Sequence, residues 1–283
     1  MLIFHQAAAL KNYLDLQKNQ HRIVGFTPTM GALHEGHISL IRASRSISSI
    51  TLASIFVNPT QFNDPKDFEN YPVTIQSDLK LLEASGCDIL YLPSVTNIYN
   101  NGMNKLPFYE LGFLETVLEG KYRPGHFQGV CQVMDRLLSI VQPDHLFMGQ
   151  KDYQQCMVVQ ELIRIKGWKQ SIVFHTCPTL REKDGLAMSS RNLRLTESER
   201  AKAVAIYQEL KQMKEQLKPG SVLPLKVAAS GHLKKKGFQV EYTEIADAET
   251  LESIDYWEGE RQLVGLVAAF NGPVRLIDNL LLT

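Results

Sequence analysis

Up to Cys177 the chain alternates short apolar runs with segments of helical period, and that alternation constrains the fold more than any other feature. The runs RIVGF (22–26), ITLASIFV (50–57), CDILYL (87–92), DHLFMG (144–149) and SIVFHTC (171–177) read as buried strands. Between them, HISLIRASRSI (37–47) groups Leu40, Ile41 and Ile47, and TIQSDLKLLEASG (74–86) groups Ile75, Leu79 and Leu82 before closing on Gly86. GVCQVMDRLLSIV carries the clearest helical stripe, from Val130 through Val133, Met134, Leu137 and Leu138 to Val141, and YQQCMVVQELIRI (153–165) reads as a further helix. Strands that alternate with helices imply right-handed crossovers, so the fold class is α/β, a doubly wound parallel sheet. In such sheets a ligand lies beyond the carboxyl ends of the strands, and that is where unusual motifs are to be sought.

Past Cys177 the pattern changes. TESERAKAVAIYQELKQMKEQL (196–217) reads as one helix opened by a Thr196/Glu199 capping box, with a stripe through Ala203, Tyr207, Leu210, Met213 and Leu217. FQVEYTEI (238–245), LVGLVAAF (263–270) and VRLIDNLLL (274–282) read as strands of a smaller C-terminal α+β domain. The expected division is therefore residues 1–179 and residues 180–283.

Thirty basic residues balance thirty acidic ones, which argues against a general nucleic-acid or membrane surface. No apolar run approaches the ~18 residues of a membrane span, and MLIFHQAAALKNYLDLQ reads as the start of a folded helix, not a leader. Cys87, Cys131, Cys156 and Cys177 are scattered beside apolar runs with no C-x-x-C pair, so they read as buried reduced thiols of a cytoplasmic protein and not as a zinc site.

The first strand runs into TPTMGALHEGH (27–37). A strand-to-helix turn aims backbone N–H groups and the helix dipole at an anion such as phosphate. Gly31 and Gly36 allow close approach, and His34 and His37, three apart, can project to one side and donate to phosphoryl oxygens. Donors of that kind are each worth ~3 kcal/mol of barrier when preorganised. The alternatives are a metal site, for which no third ligand lies close by in the sequence, and surface residues of a helix cap. FVNPTQFN follows the second strand with the neutral amides Asn58 and Gln61, which suit a hydroxylated carboxylate that must stay nucleophilic. After the fourth strand, MGQKDYQQ offers Gly149 for close approach, Lys151 for phosphate and Asp152 for ribose hydroxyls. AMSSRN (187–192) offers Ser189, Ser190 and Arg191 as donors to phosphate, and KYRPGHFQGV offers Arg123 for phosphate or substrate and His126 as an alternative helix cap. Asp64, Asp67 and Asp78 are carboxylates that could help hold Mg²⁺.

TPTMGALHEGH resembles the H-x-G-H motif of adenylylating nucleotidyltransferases and class I aminoacyl-tRNA synthetases. Together with FVNPTQFN, RPGHFQGV, MGQKDYQQ, REKDGLAMSSRN and RLIDN, in the same order, the chain resembles the pantoate–β-alanine ligase family from end to end. The resemblance implies a Rossmann-like domain for residues 1–179 that binds ATP and pantoate, followed by a lid domain. It implies ATP contacts along Met30, Gly31, Ala32, Leu33, His34, Glu35, Gly36 and His37. Further ATP contacts would come from Gly149, Gln150, Lys151 and Asp152, and from Leu180, Leu186, Ala187, Met188 and Ser189. Pantoate and β-alanine would meet Asn58, Gln61, Arg123 and Gln155. His34, His37, Lys151, Ser189, Ser190 and Arg191 would stabilise the triphosphate charge while pantoate is adenylated and the amine of β-alanine then expels AMP. Mg²⁺ with ATP, a homodimer and a cytoplasmic location are implied in the same way, with no nucleic-acid or membrane partner. The competing readings are a nucleotidyltransferase that adenylylates a phosphate acceptor, and an RNA-binding module, which neutral net charge disfavours. The chain departs from the family pattern at Val73, where arginine is usual, and at Phe270 and Val274, where arginine and threonine are usual.

Overall fold

The computed structural model describes residues 1–100, 102–103 and 106–283. The chain divides into two units: Met1–Gln150 with Gln154–Pro178, and Lys151–Tyr153 with Thr179–Thr283. The segment 151–153, which the sequence reading places with the first domain, is thus counted with the second unit.

The first unit runs β1 (Leu2–Phe4), α1 (Ala7–Lys18), β2 (Val24–Thr29), α2 (Glu35–Ile47), β3 (Ile50–Ile55), α3 (Pro65–Glu69), α4 (Ile75–Ser85) and β4 (Ile89–Tyr91). It continues through α5 (Val95–Ile98), α6 (Leu118–Tyr122), α7 (His126–Val141), β5 (His145–Gly149), α8 (Tyr153–Ile165) and β6 (Val173–Cys177). The six strands form one sheet in the order β1-β4-β3-β2-β5-β6, parallel throughout as expected. The reason is legible residue by residue. Successive strand side chains point to opposite faces. Ile50 and Leu52 of β3 enter the core shared with Leu10 and Leu14 of α1 and Leu137 and Leu138 of α7. Ala53 and Ile55 enter the core on the other side, with Ile41 of α2 and Leu82 of α4. β1 escapes the sequence reading because three residues are too short to show a period. Parallel pairing with Ile89, Leu90 and Tyr91 makes it a strand.

β2 is flanked by β3 on one side and β5 on the other. The chain leaves β2 for β3 and returns later to β5, so the topological switch point lies at the carboxyl ends of β2 and β5. Residues 30–37 follow the first of these ends and Gly149–Gln150 the second.

In the second unit the capping box forms as expected, with Thr196 N–H donating to Glu199 Oε2 at 2.9 Å and Glu199 N–H to Thr196 Oγ1 at 3.3 Å. The single helix expected over 196–217 is instead two, α9 (Glu197–Ala203) and α10 (Ala205–Gln216), parted at Val204. A two-residue ladder joins β7 (Gly220–Ser221) to β9 (Tyr256–Trp257). The main sheet is antiparallel, with the order β11-β10-β8 formed by β8 (Gln239–Asp247), β10 (Leu263–Asn271) and β11 (Val274–Leu281). Leu210 and Met213 of α10, with Ala229 and Leu233 of α11 (Leu223–Lys235), close its core over Val267 and Leu276. No helix among the described residues is long and apolar enough to cross a membrane. The four cysteines are free thiols, and burial pushes Cys87 up to about 11 and Cys131 up to about 12.

Candidate active site

The turn after β2 is shaped by a buried carboxylate. Gly31 (φ +83°) and Ala32 (φ +48°) are consecutive left-handed residues, a conformation that glycine adopts freely and alanine does not. Asp78, 1% exposed on α4, accepts from Ala32 N–H at 3.0 Å, from Leu33 N–H at 2.8 Å and from the Thr74 hydroxyl at 3.0 Å. Gly31 N–H donates to Thr29 Oγ1 at 3.2 Å. This corrects the expectation that the N–H groups of the turn face a phosphate, because those of residues 31–33 are taken up inside the protein. It also corrects the suggestion of Asp78 as a magnesium ligand, since both its oxygens are occupied by the turn. Orphan N–H groups of the kind that bind anions belong instead to the first turn of α2, at Glu35 and Gly36.

His34 is the N-cap of α2, in extended conformation. Its N–H donates to His37 Nδ1 at 3.3 Å, and the two rings lie 4.1 Å apart between centroids. An Nδ1 that accepts a backbone N–H carries no proton, so neutral His37 holds its proton on Nε2. The three-residue spacing therefore does bring the rings together and sets the tautomer in which the outer nitrogen is a donor. Glu35 is exposed and pairs with Arg42 at 3.0 Å.

After β3, Asn58 is 1% exposed and its amide is saturated within the first unit. Its nitrogen donates to Gln61 Oε1 at 3.1 Å and to Gly129 O at 3.0 Å. Its oxygen accepts from Tyr99 Oη at 2.7 Å and from Thr60 Oγ1 at 3.1 Å. Asn58 thereby fixes which way Gln61 points: the Gln61 oxygen is held, and its Nε2 donates toward Met30 Sδ at 3.1 Å. The backbone of Gln61 is pinned by His126, 4% exposed, whose ring lies 2.7 Å from Gln61 O through Nδ1 and 3.0 Å from Arg123 Nη1 through Nε2. Since a guanidinium can only donate, His126 Nε2 accepts and Nδ1–H donates to Gln61 O. Arg123 also faces Glu119 at 3.6 Å. His126, for which a helix cap was one of two open readings, instead holds the 59–61 turn, and Gly125 stands at the N-cap of α7. Gln155 on α8 is partly exposed, whereas its neighbour Gln154 is buried and bonds Leu114 O, Val117 O and Glu119 N–H.

In the second unit, Lys151 Nζ lies 3.7 Å from Asp152 Oδ1, with the lysine side chain 18% exposed and the aspartate 47%. Residues 180–188 fold back on themselves: Glu182 N–H donates to Leu186 O at 2.8 Å and Met188 N–H to Leu180 O at 3.1 Å. Leu186 and Ala187 bury their side chains, so they can offer a ligand only backbone. Ser189 caps the turn Ser190–Arg194 by accepting from Arg191 N–H at 3.3 Å, which leaves its own hydroxyl proton to donate elsewhere.

Sequence reasoning gave no role to Asp278 or Asn279, and none beyond a metal ligand to Asp78. A signal was present for each. Asp78 shares the apolar face of α4 with Ile75 and Leu82, and Asp278 and Asn279 interrupt an apolar strand, so a buried polar group demanded partners. Asp64 caps α3, accepting from Lys66 N–H at 2.9 Å, and no group of three or more His, Cys, Asp or Glu converges among the described residues. Of the departures, Val73 is 71% exposed and Val274 is buried in the core of the second unit.

The sequence model of the family described as Pantoate-beta-alanine ligase matches residues 2–281. The chain belongs to the pantoate–β-alanine ligase family. Among relatives of this family it is similar to pantothenate synthetase of Porphyromonas gingivalis, 42% identical over 99% of both chains, and to that of Cytophaga hutchinsonii, 42% identical over 96% of both. The pantothenate synthetase structure from Thermus thermophilus matches with a TM-score of 0.90 at 38% identity, covering 100% of this chain and 99% of that one. The pantoate-beta-alanine ligase structure from Francisella tularensis, complexed with beta-gamma ATP and beta-alanine, matches with a TM-score of 0.84 at 35% identity, covering 100% and 98%. The doubly wound parallel sheet and the C-terminal antiparallel sheet agree with these structures.

Proposed function

We infer that the chain condenses pantoate with β-alanine to pantothenate at the expense of ATP, through pantoyl adenylate, releasing pyrophosphate and then AMP. The observation that carries this reading is family membership over residues 2–281, together with a similar enzyme structure complexed with beta-gamma ATP and beta-alanine. A nucleotidyltransferase adenylylating a phosphate acceptor is not favoured by these relatives.

The residue roles follow from the chemistry each group can do. A carboxylate attacking the α-phosphorus builds negative charge on the phosphoryl oxygens and the leaving pyrophosphate. In the first unit, His37 donates through Nε2–H beside His34, and Gln61 presents an oriented amide donor to the acid substrate. Arg123 and Gln155 complete the set assigned to pantoate and β-alanine. In the second unit, Lys151 supplies a point charge and Ser189, Ser190 and Arg191 supply hydroxyl and guanidinium donors for phosphate oxygens. Mg²⁺ would neutralise phosphate charge. A homodimer in the cytoplasm is the expected setting, and sedimentation equilibrium checks the assembly.

The test is an omission assay. With ATP and pantoate alone, the enzyme should exchange labelled pyrophosphate into ATP, and pantothenate and AMP should appear only when β-alanine is added. His37→Ala should lower pantoate-dependent exchange ~100-fold. Exchange near the wild-type rate in that variant would refute the role given to His37, and exchange without pantoate would refute the adenylation step.

A further inference from the structure

The two phosphate-directed segments of the second unit, 151–152 and 187–191, are tied to one dipeptide in β11. Asp278 and Asn279 are adjacent, 5% and 3% exposed, and as neighbours on a strand their side chains leave on opposite faces. Asp278 takes the guanidinium of Arg181, 97 residues away, in a two-pronged pair at 2.6 and 3.0 Å. Arg181 also donates to Gly185 O at 3.2 Å and to Asn279 O at 3.1 Å, and it lies 3.9 Å over the ring of Tyr207. That one side chain closes the hairpin at the foot of the 187–191 loop. Asn279 turns the other way and donates from Nδ2 to Lys151 O at 2.8 Å, across 128 residues of sequence. A second bond from Tyr153 Oη to Ala248 O at 2.6 Å fastens the same short segment to the body of the second unit.

We propose that Asn279 is a positioning residue for adenylation, holding the Lys151 backbone in the frame that the Asp278–Arg181 pair gives the Ser189–Arg191 loop, so that their phosphate donors keep a fixed spacing. The proposal rests on the roles given to Lys151 and to Ser189–Arg191 above. The physical reason is preorganisation. Donors that act on developing charge are effective only if they need not be ordered during the reaction, and a lysine on a mobile turn loses that advantage. An amide bond to its carbonyl fixes the root of the side chain, and a buried Arg–carboxylate pair fixes the root of the loop. Asn279 touches no substrate atom in this scheme and acts only through Lys151.

The experiment is a double-variant cycle on pantoate-dependent ATP–pyrophosphate exchange, using Lys151→Ala, Asn279→Ala and the pair together in the full-length chain. Lys151→Ala should lower the rate about 100-fold, and Asn279→Ala about tenfold, with a raised KM for ATP and an unchanged KM for pantoate. The double variant should be no slower than Lys151→Ala alone, because an interaction already removed cannot be lost twice. Asn279→Leu, which fills the site without the donor, should behave as Asn279→Ala and serves as the second variant if the alanine chain fails to fold by thermal melting. If Lys151→Ala exchanges at the wild-type rate, the reading of Lys151 falls, and this proposal with it. If Lys151→Ala is impaired but Asn279→Ala is not, or the two losses multiply, the positioning role alone is overturned.

Discussion

A single carboxylate decides the conformation of the histidine-bearing turn. Asp78 is the acceptor for two buried N–H groups, and removing it takes away its bonds to Ala32 and Leu33. Hydrogen bonds to a charged group are worth about 1.5–3 kcal/mol each, so Asp78→Ala is expected to lose ~3–6 kcal/mol in urea unfolding and to slow pyrophosphate exchange, since His34 follows directly. Gly129 acts by close approach. A Cβ there would lie 2.2 Å from Thr60 O and 2.6 Å from Gln61 N, so the 59–61 turn must move. Gly129→Ala should cost about 1–3 kcal/mol and raise the KM for pantoate while leaving that for ATP unchanged. Steady-state kinetics with each substrate varied in turn checks it. The motif histidines were legible in the sequence because their spacing is local. The role of Gly129 was not, because nothing near it in sequence names Thr60 as its neighbour.

At the level of elements, the 181–187 hairpin carries a pH dependence whose sign follows from one ion pair. Two bonds from Arg200, at 2.8 and 3.2 Å, hold the Asp184 carboxyl below its usual 3.8. A depressed carboxyl gives stability that is full above the unfolded value and is lost as pH falls through the lower folded value. The aspartate side chain is 46% exposed, so screening keeps the effect under ~1 kcal/mol. Melting curves of the wild type and Asp184→Asn should differ above pH ~4 and converge in stronger acid. Strands β2 to β6 and helices α2, α4, α7 and α8 of the first unit were readable from period, to within a few residues, whereas β1 and the short helices α3, α5 and α6 were not. The break between α9 and α10 was not, because the apolar stripe runs on through Ala203, Tyr207 and Leu210 across Val204.

At the scale of the whole molecule, the two units have separate apolar cores, one around the parallel sheet and one beneath the antiparallel sheet. Leu210 is fully buried in the second. Leu210→Ala should cost about 2–5 kcal/mol. Hydrogen exchange should show the lost protection within residues 179–283 and not in the strands of the first unit.

By itself the sequence determined the alternation of strands and helices, the parallel sheet it forces, and the motifs that identify the family. Those depend on period, turn residues and short spacings, which a linear chain displays directly. Tertiary structure decided which polar side chains face a ligand and which hold others in place. Asp78, Asn58, His126, Asp278 and Asn279 are buried beside partners 3 to 128 residues away. A hydrogen bond depends on distance in space, and only the folded chain sets that distance.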